Sequence, residues 1–196
     1  MKSRTIIFVI GGPGAGKSTH CANIARKFQY THISVRNILI AERKKPSSVY
    51  SPMIDFCMRY GRDVPAYITV QIILQAIRKA PSSRFVIDDY PRNEDDVQIW
   101  HRELGIAEDF TRLLFVFYLS CPEIICVHRC LRRTRRGRKP PDHSEITAIK
   151  KRFSAFREDS MAVIDFYKTV HLLKKIDASQ PKEEVFGDIR SIFHRF

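Results

Sequence analysis

Residues 11–19 read Gly-Gly-Pro-Gly-Ala-Gly-Lys-Ser-Thr and follow the apolar run Thr5–Ile10. The spacing is G-x-x-x-x-G-K-S, between a strand-like segment and a helix-like one. Gly12, Gly14 and Gly16, with Pro13 and Ala15, can bring backbone N–H groups around phosphate oxygens, because glycine places no Cβ in the way. Lys17 supplies a point charge for the outer phosphates, and Ser18 or Thr19 a hydroxyl for Mg²⁺. A helix starting at Lys17 aims its positive end at the same anion. The chemistry expected of these residues is the binding of nucleotide phosphates, and the loop alone leaves many nucleoside-triphosphatase families open.

Bulk properties set the limits. A chain of 196 residues suits one domain with a full core, and 44% hydrophobic with 28% charged residues is ordinary globular composition. No apolar run approaches the length of a membrane span. The first strand begins almost at the N-terminus, so a cytoplasmic protein without a cleavable leader is expected. Five cysteines are an odd number and read as reduced thiols. Cys126, His128 and Cys130 do not form a metal site on a helix, since position 128 lies about 200° around from 126.

The formal charge is +13, and seven basic residues fall within positions 129–139. Arg132, Arg135, Arg136 and Lys139 have i, i+3, i+4, i+7 spacing and would form one helical stripe. Such a stripe is either a solvated face or a docking surface for RNA or an acidic protein.

Strand-like and helix-like segments alternate along the chain. Strands are expected over Thr5–Ile10, His32–Ser34, Arg84–Asp88, Leu113–Leu119 and His171–Ile176. Helices are expected over Lys17–Phe28, Asn37–Arg43, Ser51–Tyr60, Ile68–Lys79, Asp95–Leu104, Glu123–Arg136, Ser144–Thr169 and Lys182–Phe193. This alternation predicts an α/β fold, a parallel sheet flanked by helices, with ligands at the carboxyl ends of the strands.

Further segments narrow the class: His32-Ile33-Ser34-Val35, Gly61-Arg62-Asp63-Val64-Pro65, Asp88-Asp89-Tyr90-Pro91-Arg92-Asn93, and Arg129-x-x-x-Arg133 leading to Gly137-Arg138 and Lys150-Lys151-Arg152. With the phosphate loop they resemble the nucleoside monophosphate kinases of the adenylate kinase group. Tyr90-Pro91-Arg92-Asn93-Glu94-Asp95-Asp96-Val97-Gln98-Ile99-Trp100 is similar to F-P-R-N-Q-D-N-L-Q-x-W of the UMP/CMP kinase branch. The resemblance spans the chain. It implies a single P-loop domain, 1–196, with a five-stranded parallel sheet, an NMP-binding flap at about 33–67 and a short lid at about 134–143. It also implies ATP and Mg²⁺ as cofactors and a nucleoside monophosphate as acceptor. Lys17 would hold the donor phosphates, Asp88 the waters of Mg²⁺ and Arg92 the acceptor phosphate. Arg129, Arg133, Arg138 and Arg152 would close over the transferring group. Ser34 and Val64 would line the acceptor site, and Asn93 would read a pyrimidine base.

The departures from that pattern lie on the acceptor side. Where the family reads L-S-x-G-D-L-L-R, the chain has Arg36 for the glycine, Asn37 for the aspartate and Ile40 for the arginine that pairs with the acceptor phosphate. An isoleucine cannot replace a bidentate guanidinium. Arg36 and Arg43 are the neighbouring candidates to substitute for it. Asp89 replaces the glycine of D-G-F-P-R and brings a carboxylate next to phosphates, and Tyr67 replaces an acid. The lid carries Pro140-Pro141 and an insertion before Arg152. Three functions follow, in order: a working kinase with altered acceptor use, an ATP-binding module that hydrolyses or switches, and a degenerate subunit with a structural or regulatory role docked through its basic surface.

Overall fold

The computed structural model describes residues 3–106, 111–134 and 143–195. Five strands, β1 (Arg4–Gly11), β2 (Thr31–Ser34), β3 (Arg84–Asp88), β4 (Thr111–Ser120) and β5 (Leu173–Asp177), pair in parallel in the order β2-β3-β1-β4-β5. The expected five-stranded parallel sheet is therefore present. The helices are α1 (Lys17–Phe28), α2 (Val35–Arg43), α3 (Ser51–Arg59), α4 (Ala66–Lys79), α5 (Glu94–Ile106), α6 (Glu123–Thr134), α7 (His143–Ala155), α8 (Met161–Thr169) and α9 (Lys182–Phe193).

β1 shows why the sheet is covered on both sides. Its side chains alternate: Ile6, Phe8 and Ile10 enter one core cluster, and Ile7 and Val9 enter the other. The first cluster takes the apolar faces of α2–α5 and α8, and the second those of α1, α6, α7 and α9. Phe8 anchors the first, edge-to-face with Tyr90 at 5.2 Å and Trp100 at 5.2 Å. The chain first fills one side of β1 with β3 and β2, then the other with β4 and β5. The switch point lies at the carboxyl end of β1, where the phosphate loop begins.

One expectation needs correction. Ser144–Thr169 is not one regular helix: a π turn at Phe156–Ser160 separates α7 from α8. Contacts with distant segments flank the wider turn. Ser160, buried, donates its hydroxyl to the Arg92 carbonyl at 2.8 Å. Phe153, before the turn, packs where a Cβ on Gly12 would fall, 3.2 Å away. The extra residue lets one helical segment serve two loops of the site. No helix among the described residues is long and apolar enough to cross a membrane.

Candidate functional site

The loop between β1 and α1 is shaped by its glycines. Gly14 and Gly16 have φ of +81° and +93°, where a side chain is strained. A Cβ on Gly14 would also lie 2.5 Å from the Cys126 carbonyl oxygen. Lys17, the first residue of α1, turns its ammonium back over the loop. It donates to the carbonyls of Gly11 at 2.6 Å and Gly12 at 3.0 Å. Ser18 and Thr19 follow it, exposed.

The second half of the site follows β3. Asp88 is 2% exposed, and its Oδ2 accepts from His32 Nε2 at 3.3 Å across the β2–β3 pairing. Its Oδ1 is buried with no hydrogen-bond partner among the described residues. A buried acceptor without a donor is costly. Mg²⁺-bound water would supply that donor, so Asp88, with the hydroxyls of Ser18 and Thr19, fits the expected ion.

Asp89 takes φ of +64°, the left-handed conformation the pattern's glycine is suited to. Its carboxylate joins the two halves of the site. Oδ1 lies 3.2 Å from Lys17 Nζ, and Oδ2 accepts from Arg92 at 3.0 Å. Burial pushes the Asp89 carboxyl up, but Lys17 and Arg92 outweigh it and lower its pKa to about 2. Arg92 also faces Asp63 at 3.7 Å.

The Arg92 backbone is fixed from both sides. Its N–H donates to Asp96 Oδ2 at 2.9 Å, and its carbonyl takes the Ser160 hydroxyl. Asn93 accepts from the Asp96 N–H at 2.9 Å, so Asn93 and Asp96 cap the start of α5. Asn93's oxygen is engaged there, which leaves its amide N–H₂ as the group available to a ligand. Val35, Leu39, Val64, Thr69 and Tyr90 complete a cleft with Asp63, Arg92, Asn93 and Asp96. Ser34, expected here, instead caps α2 through a 3.4 Å bond from the Asn37 N–H.

Asp96 stands where the UMP/CMP pattern has asparagine, and sequence reasoning passed over it. Burial pushes its carboxyl up to about 6, against the lowering effect of the Arg92 N–H and guanidinium. A carboxyl whose folded pKa exceeds its unfolded value adds stability below the unfolded pKa and loses it as pH rises through the folded one. Relative to Asp96→Asn, the wild type should lose on the order of 2–3 kcal/mol between pH about 4 and about 7. Urea unfolding of both proteins across that range checks this. Parallel stability curves would contradict it.

Other expected residues are less convergent. Arg129, expected over the transferring group, spends its guanidinium on the carbonyls of Ala178 at 2.6 Å, Ser179 at 3.1 Å and Gln180 at 3.2 Å. In this structure it pins the loop after β5 to α6. Arg152 is exposed on α7 beside the buried Phe153. The side chain of Arg133, and Arg138 with most of the lid, lie outside the described residues, as do Arg135, Arg136 and Lys139 of the basic stripe. Arg132 is exposed. Arg43 is held by Asp55 at 2.6 Å, as is Arg59 at 2.7 Å, so Arg43 is committed to α3 rather than to a phosphate. Ile40 is half-buried on the same helix.

Comparison with known proteins agrees with this geometry. The family model described as adenylate kinase matches residues 9–172. The chain is 37% identical to UMP-CMP kinase of Rattus norvegicus, 35% to that of Homo sapiens and 37% to that of Xenopus tropicalis, each over 97% of both chains. A strand-to-helix phosphate loop facing an arginine-bearing β3 loop, on a sheet of this order, is thus an inherited arrangement, and the chain belongs to the adenylate kinase family of nucleoside monophosphate kinases.

Proposed function

We propose that the chain transfers a phosphoryl group from ATP to a pyrimidine nucleoside monophosphate, of the UMP or CMP type. The observation that carries this reading is the shared anion. Lys17 and Arg92 flank one carboxylate, at 3.2 and 3.0 Å from its two oxygens. A phosphoryl group passing between donor and acceptor needs cations from two segments at that spacing, because catalysis here is positioning and charge neutralisation. The resemblance to UMP-CMP kinases and the free N–H₂ of Asn93 support the pyrimidine assignment. Asp88, Ser18 and Thr19 would hold Mg²⁺, which supplies charge neutralisation between the donor's outer phosphates. Arg133, Arg138 and Arg152 would complete the clamp. No observation among the described residues favours a docking role for the basic stripe.

The acceptor clamp is weakened by Ile40. A coupled assay of ATP against CMP, UMP, dCMP and AMP tests the assignment directly, with CMP or UMP expected to lead. Ile40→Arg should raise kcat/KM for that acceptor about tenfold, part of the value of a charge-assisted phosphate contact. AMP turned over best, with Ile40→Arg neutral or harmful, would overturn the pyrimidine reading.

A further inference from the structure

Behind the phosphate loop, three side chains from three elements converge. Cys21 lies on α1, His32 on β2 and Asp88 at the end of β3. One donor atom of each, the sulfur, a ring nitrogen and a carboxylate oxygen, lies within 4.8 Å of the others. We propose that Cys21, His32 and Asp88 form a binding site for a soft divalent cation of the zinc class.

The donor set selects the ion. One sulfur, one imidazole nitrogen and one carboxylate oxygen suit zinc and its neighbours, and a thiolate is a poor ligand for Mg²⁺ or Ca²⁺. The spacing is nearly that of a bound site. Tetrahedral bonds of about 2.0 Å give a nitrogen-to-oxygen edge of about 3.3 Å, and His32 Nε2 to Asp88 Oδ2 is 3.3 Å. Cys21 Sγ lies within 4.8 Å of both, against an edge of about 3.5 Å in a bound thiolate site.

Charge supports the same site. Among the described residues the buried Asp88 carboxylate has His32 as its hydrogen-bond partner, and its second oxygen has none. Cys21 is fully buried beside that carboxylate. Binding releases the thiol proton to solvent as the sulfur–metal bond forms. The imidazole hydrogen moves from Nε2 to Nδ1 by exchange with solvent, so that Nε2 presents its lone pair and the ring stays neutral. A dication with one thiolate, one carboxylate and a neutral imidazole sums to zero, which suits a buried cluster. His32 is 23% exposed and offers the way in. Three protein ligands leave a fourth position open, unlike a closed structural centre. The ion would draw on the carboxylate assigned above to the waters of Mg²⁺, so the two ions would compete for Asp88.

Titration of the nucleotide-free protein with Co²⁺ tests the site without reference to kinase activity. The wild type should bind one Co²⁺ per chain with thiolate-to-cobalt charge-transfer absorption, and Zn²⁺ should displace it. Cys21→Ser should abolish the absorption. His32→Gln should weaken binding on the order of 100-fold. Cys57→Ser, Cys121→Ser, Cys126→Ser and Cys130→Ser, each made singly, should leave both unchanged, which separates this site from the other four thiols. Circular dichroism confirms that each variant is folded, and if Cys21→Ser is not, His32→Gln gives the same reading from a partly exposed position. Absorption that survives Cys21→Ser, unaltered binding in His32→Gln, or no stoichiometric binding by the wild type would each overturn the proposal.

Discussion

Lys17→Met should lower kcat/KM for phosphoryl transfer about a thousandfold while leaving the fold intact. The change keeps an apolar stem of similar length and removes one charge. That charge is 12% exposed, in a site closed on one side by the loop backbone. A preorganised cation in a partly desolvated site is worth about 3–4 kcal/mol to a transition state whose charge spreads over phosphoryl oxygens. The free protein pays less. The carbonyls of Gly11 and Gly12 lose their donor, and Asp89 loses one of its two cations. Together these cost about 1–2 kcal/mol. Steady-state kinetics and a thermal melt separate the two effects. Activity within tenfold of wild type would mean that the loop does not hold the donor phosphates.

Much of this was readable along the chain, and the reason is locality. The phosphate loop and the apolar run of β1 each depend on residues close in sequence. Hydrophobic period and glycine spacing report such features directly. The π turn was not readable, because its contacts are with Arg92 and Gly12, far off in sequence, and the helical period continues through it. Arg129 shows the same limit. Its place in a matched segment suggested a phosphate contact, but its partners are carbonyls 49–51 residues later, brought near by the β4–β5 pairing. The convergence of Cys21, His32 and Asp88 required the β2–β3 register, which pairs Ser34 with Asp88. Asp96 did carry a signal, an acid where the pattern has a neutral amide. What was missing was that its side chain is buried.

Asp89 marks where the two sources of information meet, since its departure from glycine was legible and its partners were not. It places a fixed anion between the cations that the donor and acceptor phosphates need. On the proposed reading of Lys17 and Arg92, each nucleotide must displace a carboxylate as well as water. A pair of unit charges about 4 Å apart is worth about 4 kcal/mol at the effective dielectric of a protein surface. Asp89 is 40% exposed, so roughly half of that is expected to remain. Asp89→Gly should then raise kcat/KM about thirtyfold, equivalent to about 2 kcal/mol. The gain should appear in KM for both nucleotides, because both clamps are freed. Glycine also relieves the left-handed backbone, a separate effect worth about 1 kcal/mol in stability. Asp89→Asn distinguishes the two causes. Asparagine tolerates the same φ and removes only the charge, so it should recover most of the kinetic gain. A gain in the glycine variant without one in the asparagine variant would assign the effect to backbone strain. A loss in both would mean that Asp89 positions Arg92 for the acceptor, and that the carboxylate is part of the working site rather than a competitor for it.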